Sequence, residues 1–560
     1  MTWTTVVNNG VVAPDPTNPT SAQLFNSYSG SSVNNDALVV FRGRTQGGET
    51  GRVSGVFSRD MSVPAASVQA IAVVGGTVPE PNNLTATFTE FPSLPRIDAG
   101  STLIATRGQT KPVYTYLLPD NTETRVGTTG IYTTTGGGLT TGEQKLGMVL
   151  EQSQFQVPQP AVNGNQLPFE QFPGAPAAFD GKYIAFKGNY ADADGTALTG
   201  VFYRDLLSNN GKEVAVPIAY RGMALPNQPD NDPTTAAIVF GSTSPPSAAK
   251  GKVVFTGLDN EEAPTAGGIY MGKVGTDRSL TTLVAIGDTV PGVTNGTGNA
   301  LNLIGEGLSF DGRYMSFWGA WGAEKRTVTL NCPADGNVAV RNFCALQTPL
   351  KEPGLDPSVP SNHTGVTTRE VPVHQGIFQK DTLTGELKLV AQTDSKYEDF
   401  LFWNFSGNAG QDGNVVTEEE EGARWRSSAF IASDGQKVVF KALETDNAFG
   451  LYLDRDVSDL TDPFALLTSR MFGEALDSDS RAAGLSLTSL GIERDSFRNG
   501  WLVINASMEG IINGEALGWA GVYLTQVVPE PSSVALMLLA LGILVGSKRR
   551  QIRHTGEFSL

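Results

Sequence analysis

A glycine–aliphatic–aromatic triplet recurs seven times along the chain, and this recurrence limits the fold more than any other feature of the sequence. The copies are Gly55-Val56-Phe57, Gly130-Ile131-Tyr132, Gly200-Val201-Phe202, Gly268-Ile269-Tyr270, Gly376-Ile377-Phe378, Gly450-Leu451-Tyr452 and Gly521-Val522-Tyr523. Their spacings are 75, 70, 68, 108, 74 and 71 residues. A near-fixed period marks a repeat architecture, in which each unit buries its apolar face against the next. Before every triplet lies a hydrophobic run (38–41, 103–106, 183–186, 252–255, 314–317, 437–440 and 501–504), with Gly43, Gly108, Gly188, Gly257, Gly319, Ala442 or Ala506 two positions beyond it. Four of these runs follow a turn pair: Asp180-Gly181, Asp311-Gly312, Asp434-Gly435 or Asn499-Gly500. Such pairs tolerate φ > 0 and lead strands out of tight turns. Turn, run and triplet together predict a hairpin.

A third strand is expected after most triplets, at 71–74, 218–220, 283–291 and 389–391. The seventh triplet has no room for one before the C-terminal segment. The chain starts with the missing piece, because Thr4-Thr5-Val6-Val7 and the Asn-Asn-Gly-Val-Val-Ala-Pro that follows parallel residues 281–291. An all-β fold is therefore expected: a seven-bladed β-propeller over residues 1–527, closed by pairing of the N-terminal strand with the last blade. A β-solenoid or an open array of sandwiches is the alternative. Neither gives the two chain ends a reason to complement each other. The one long spacing places an insertion at about 319–373 in the fifth repeat.

Composition agrees with many short strands joined by turns: 64 Gly, 32 Pro and only 17% charged residues. The net charge of −17 argues against nucleic acid as a partner. The two cysteines, Cys332 and Cys344, both fall in the long insertion, where a disulfide would clip the loop; idle thiols are the alternative. Histidine is nearly absent. His363 and His374 lie in the fifth-repeat insertion and His554 near the C-terminus, so a Ser-His-Asp or Cys-His site would have to use one of the first two; Cys344 with His374 is one such pair, weighed against a disulfide or an inert loop. Asp192 and Asp194 precede Gly195 and are a candidate Ca²⁺ pair, weighed against a solvated hairpin turn. No other cofactor is expected. Glu418 to Glu421 form an acidic run beside Arg424-Trp425-Arg426, and Trp318, Trp321 and Trp403 could stack on sugar rings or pack in the core.

The C-terminus has three parts in order: Pro529-Glu530-Pro531, an apolar run over 534–546 that predicts a single hydrophobic helix, and the basic cluster Lys548-Arg549-Arg550. A polar tail occupies 551–560. The apolar run is short for a comfortable membrane span, and the basic cluster suits the cytoplasmic side. The tripartite segment at 528–550 resembles the PEP-CTERM sorting domain of Gram-negative bacteria. The resemblance implies export, transient anchoring in the inner membrane, and cutting near Pro529-Glu530-Pro531 by a membrane-embedded exosortase, which leaves the protein at the cell surface or outside. The first residues carry no basic n-region and no apolar h-region, so a signal peptide is not seen in this sequence.

Two functional readings follow. One is a non-catalytic surface or extracellular-matrix protein whose rigid ring presents loops to polysaccharide or another protein. The other is a carbohydrate-active hydrolase or lyase on the same scaffold. The second predicts carboxylates and a tryptophan converging in the central channel or at one mouth.

Overall fold

The computed structural model describes residues 1–527 apart from 48–50, 80–86, 118–122, 135–146, 152–168, 193, 209–214, 227–236, 276–278, 294–297, 335–337, 394–395, 407–422 and 456–462. The chain forms seven antiparallel sheets, each a meander of four main strands, and one separate hairpin, Phe402–Ser406 with Arg424–Ser428. Blade four shows the plan. An inner strand in two pieces, Ser242–Thr243 and Ser247–Ala249, is followed by Lys252–Leu258, by the triplet strand Gly267–Lys273 and by the outer strand Thr281–Ala285. The innermost pieces touch one another in a closed cycle: Phe25–Val33, Arg96–Ile97, Ala177–Phe179, Ser247–Ala249, Ser309–Phe310, Ile431–Asp434, Phe497–Arg498 and back to Phe25–Val33. The fold is a closed seven-bladed β-propeller.

Every triplet strand carries the same irregularity. Its pairing with the outer strand slips by one residue between the aliphatic and the aromatic position, leaving Ile71, Val149, Ile218, Leu283, Val390, Leu466 or Val6 as the extra residue of a β-bulge. The bulge brings an outer-strand carbonyl over the triplet glycine. A Cβ at Gly268 would lie 2.0 Å from the oxygen of Val284, and one at Gly55 2.2 Å from that of Ala72. Glycine recurs here because no side chain fits under the bulged strand. The aromatic that follows is buried between blades, where Phe57, Tyr132, Phe202, Tyr270, Phe378, Tyr452 and Tyr523 are all inaccessible.

The N-terminal strand Thr4–Asn8 is the outer strand of blade seven and pairs with Glu515–Gln526, Thr5 opposite Tyr523. It reproduces the bulge and the exit bond of a continuous blade: Asn9 N–H donates to Ala520 O, as Ile286 N–H donates to Gly267 O in blade four. The seam has a clasp of its own. The buried Asp477 carboxylate accepts from Thr5 Oγ1 (3.2 Å), Asn8 Nδ2 (2.9 Å), Trp519 Nε1 (3.0 Å) and Tyr523 OH (3.0 Å). One acid thus holds both chain ends. Burial and this carboxylate push the Tyr523 hydroxyl far above its ordinary pKa.

The two ends of the ring differ. At one end, here the turn face, the inner and second strands meet in tight turns. Positive φ occurs where the turn pairs predict it, at Asp180 (52°) and Gly181 (70°), and at Asn499 (49°) and Gly500 (79°). These turns also latch neighbouring blades. Asp98 accepts from Gly181 N–H (2.7 Å), Asp180 from Lys250 N–H (2.9 Å) and Gly251 N–H, Asp311 from Gly435 N–H (2.8 Å), and Asp434 from Gly500 N–H (2.7 Å). Asn499 Nδ2 donates to Asn35 O and Asn34 Nδ2 to Ser101 O. Blade four has Lys250 where others have Asp, and there Lys252 Nζ reaches Gly312 O instead (3.0 Å). The circuit of seven links is complete.

The other end, the loop face, carries the irregular parts. Much of the stretch expected as an insertion is an extension of a hairpin: Tyr314–Asn331 and Val366–Asp381 pair as far as Asn331 and Val366. Beyond them Cys332 and Cys344 are joined in a disulfide (Cα–Cα 5.8 Å), and the helix Val338–Leu346 packs on Phe402–Ser406. Phe343, Phe405 and Trp425 fill that contact. The C-terminal helix expected over 534–546 lies outside the described residues. Among those described, no helix is long and apolar enough to cross a membrane.

Candidate functional site

The inner strand is interrupted in blades two to seven, while that of blade one, Phe25–Val33, is continuous, and the interruptions face the axis. They fall at 91–95, 172–176, 244–246, 305–308 and 492–496. Proline, which gives no N–H to a ladder, marks three of them: Phe91-Pro92-Ser93-Leu94-Pro95, Phe172-Pro173-Gly174-Ala175-Pro176 and Ser244-Pro245-Pro246. In blade six the interruption holds the hairpin Phe402–Ser406 with Arg424–Ser428. In blade seven it is Ile492-Glu493-Arg494-Asp495-Ser496, three consecutive charges inside the ring.

Those charges seal the axis toward the turn face. Asp495 is buried between two guanidiniums, Nε of Arg96 from blade two and Nη2 of Arg498 (2.5 Å). Arg96 also donates to Pro246 O (2.7 Å) and Ser247 Oγ (3.1 Å) of blade four. Arg498 donates to Phe310 O (3.2 Å) of blade five and Ser433 O (3.0 Å) of blade six. Serine hydroxyls complete the plug: Ser32 to Pro95 O, Ser247 to Leu308 O, Ser309 to Arg494 O and Ser496 to Ser31 O. Burial alone would raise the Asp495 carboxyl, but the two arginines outweigh it and hold the group below its ordinary pKa. An ionised carboxylate clamped in this way is a structural part rather than a free base.

Toward the loop face the cluster opens. Glu493 and Arg494 are half-buried, and Glu306 of blade five is exposed although the ring surrounds it. Arg494 crosses the axis to Pro245 O of blade four (3.3 Å). Burial pushes Glu493 up to about 7 against the pull of Arg494 and Arg96, and it pulls Arg494 down to about 10. Glu306 is raised by burial and by Glu261, with Lys187, Arg494 and Arg424 opposing. Groups from blades three to seven thus act on one another across a blind funnel. A carboxyl poised near neutrality beside a cation is the arrangement acid–base chemistry uses.

The residues singled out from sequence occupy other places. Pro529, Glu530, Pro531, Lys548, Arg549, Arg550, Glu418–Glu421 and His554 lie outside the described residues. Cys344 is bonded to Cys332, which removes the thiol from any pairing with His374. His363 is buried between Thr348 O and Pro357 O, and His374 stacks on Trp321. The Asp192 carboxylate accepts the N–H groups of Asp194 and Thr196, closing a turn. Among the described residues no group of three metal-ligating side chains occurs. Trp318 and Trp321 are packed between blades rather than set in the funnel, and Trp403 stands on the blade-six hairpin.

Among solved structures the chain is similar to an oligogalacturonate lyase in complex with manganese, at 11% identity over 95% of this chain and 97% of that one (TM-score 0.35). It is also similar to the polysaccharide lyase Uly1, at 10% over 89% and 90% (TM-score 0.37), and to the periplasmic gluconolactonase of Pseudomonas aeruginosa, at 12% over 81% and 90% (TM-score 0.30). No curated protein matches the chain. Residues 527–551 match the PEP-CTERM protein-sorting motif, so the chain is a seven-bladed β-propeller that carries this sorting signal directly after its last blade.

Proposed function

We propose that this is an exported protein of the cell surface or extracellular matrix, whose propeller serves as a rigid, non-catalytic scaffold for binding or structure. The match of residues 527–551 to the sorting motif carries the reading. Exosortase is then the processing partner, Pro529-Glu530-Pro531 its recognition element, and Lys548-Arg549-Arg550 the cytoplasmic stop of a transient anchor in the inner membrane. The funnel and the disulfide-clipped insertion, both on the loop face, are the surfaces offered to an extracellular polysaccharide or protein. Replacing Pro529, Glu530 and Pro531 together with alanine tests the sorting step. The account expects an unprocessed, membrane-retained form on immunoblots of membrane and extracellular fractions, and processing at the normal rate would contradict it.

One observation favours a second reading, a carbohydrate-active enzyme: the half-buried carboxyl of Glu493, pushed up to about 7 by burial, stands next to Arg494 at the ring axis. If the site is catalytic, Glu493→Gln abolishes release of new sugar ends from a polysaccharide while leaving its binding intact. If the site only binds, no polysaccharide releases ends with either protein.

A further inference from the structure

We infer that the turn face is the surface this protein lays against the lipid bilayer while its C-terminal segment is inserted, so that the funnel opens away from the membrane. The inference rests on the reading of residues 534–546 as membrane-inserted. It adds the orientation and the contact surface.

The exit of the chain supplies the first argument. The triplet strand of blade seven, Glu515–Gln526, runs from the loop face to the turn face. The next residue, Val527, is 2% exposed, belongs to the core between blades six and seven, and donates its N–H to Gly500 O (2.7 Å). The same bond ends the triplet strands of other blades at the same face: Met61 to Ala37, Leu206 to Lys182, Val274 to Gly251 and Thr382 to Arg313. Seven residue steps separate buried Val527 from Val534, where the apolar run begins, a reach of at most about 25 Å. The tether starts at the turn face, which favours that face toward the bilayer.

The surface itself supplies the second argument. At the turn face the described parts of the connections between triplet strand and outer strand expose apolar side chains: Leu383 (75%), Leu207 (73%) and Val63 (50%), from blades five, three and one. Exposed apolar tips of this kind suit shallow insertion among lipid headgroups. With a net charge of −17 the chain gains nothing from anionic lipid, so contact depends on the tail and these tips. The loop face exposes apolar side chains as well, among them Ile511 (78%), Val338, Phe472, Val12 and Leu24, so the chain exit and not apolar exposure decides between the faces.

The test uses the full-length chain with an intact tail, reconstituted in phosphatidylethanolamine–phosphatidylglycerol vesicles. Single fluorophores are placed by Leu383→Cys or Ile511→Cys, both at highly exposed positions. Blade strands of about seven residues at ~3.3 Å each hold the two faces roughly 23 Å apart. Quenching by brominated lipid is therefore expected to be at least about threefold stronger at 383 than at 511. Equal or reversed quenching in protein that floats with the vesicles overturns the orientation alone. Failure to float with the vesicles overturns the membrane reading and the orientation with it.

Discussion

Blade four is one continuous stretch of chain, whereas blade seven is assembled from both chain ends, yet their outer halves are the same. Thr281–Ala285 and Thr4–Asn8 pair with their triplet strands through the same bulge, at Leu283 and at Val6, and leave by the same backbone bond. Side-chain packing and strand edges therefore define a blade, and covalent continuity does not. At the seam of blade seven the Asp477 carboxylate ties Thr5 and Asn8 of one chain end to Trp519 and Tyr523 of the other. The inner halves differ in the opposite sense. Where blade four breaks its inner strand with Ser244-Pro245-Pro246, blade seven places Glu493-Arg494-Asp495.

The largest expected effect is at the seam. Asp477→Ala strands the polar groups of Asn8, Trp519 and Tyr523 in a buried site and should cost at least about 3 kcal/mol in chemical unfolding, since each orphaned donor costs about 1–3 kcal/mol. A loss below about 1 kcal/mol would mean that the clasp is incidental. Next come the paired substitutions Gly268→Ala and Gly521→Ala, each crowding an outer-strand carbonyl, Val284 O at 2.0 Å and Val7 O at 2.8 Å. Both should cost about 1–3 kcal/mol. If Gly521→Ala were neutral while Gly268→Ala was not, the composite blade would be looser than the continuous one.

Glu493 sharpens the contrast between the inner halves through pH. Its folded pKa, about 7, lies above the ordinary 4.5, so the folded state holds a proton that the unfolded state releases between these values. Stability should therefore fall as pH rises from about 4.5 to about 7, by at most about 3 kcal/mol, and Glu493→Gln should flatten that slope. An unchanged slope would show that Glu493 is well solvated. The smallest effect is expected at the turn face. Asp434→Ala removes the latch onto Gly500 of blade seven and should cost about 1 kcal/mol, and Lys252→Ala, which removes the substitute latch onto blade five, no more than that.

The sequence showed the parts that repeat. Seven triplets, their preceding runs and the orphan strand at Thr4 were enough for the blade number and for the closure. The inner strands of blades two to four were not legible, because pieces of two to four residues interrupted by Pro92, Pro173 or Pro245 carry neither alternation nor length. The axial site was hidden for the same reason. Arg96, Glu306 and Asp495 stand hundreds of residues apart, and only the ring brings them together. A cue was present in Glu493-Arg494-Asp495, three charges between apolar Ile492 and the Asn499-Gly500 turn. The Asp-Gly pairs were readable as turns, but their second use as latches between blades depends on a neighbour 66 to 124 residues away. The long insertion was read from its spacing, and the strands extending to Asn331 and from Val366 could not be told from a loop in a stretch so rich in polar residues.

The closure of the ring by the N-terminal strand is tested most directly by hydrogen exchange followed by mass spectrometry, comparing peptides that cover 4–8 with peptides that cover 281–285. Both are outer strands hydrogen-bonded on one side only, so exposure is matched. The account predicts the same protection for both, lost together when the ring opens. Rapid exchange over 4–8, while 281–285 stays protected, would contradict it.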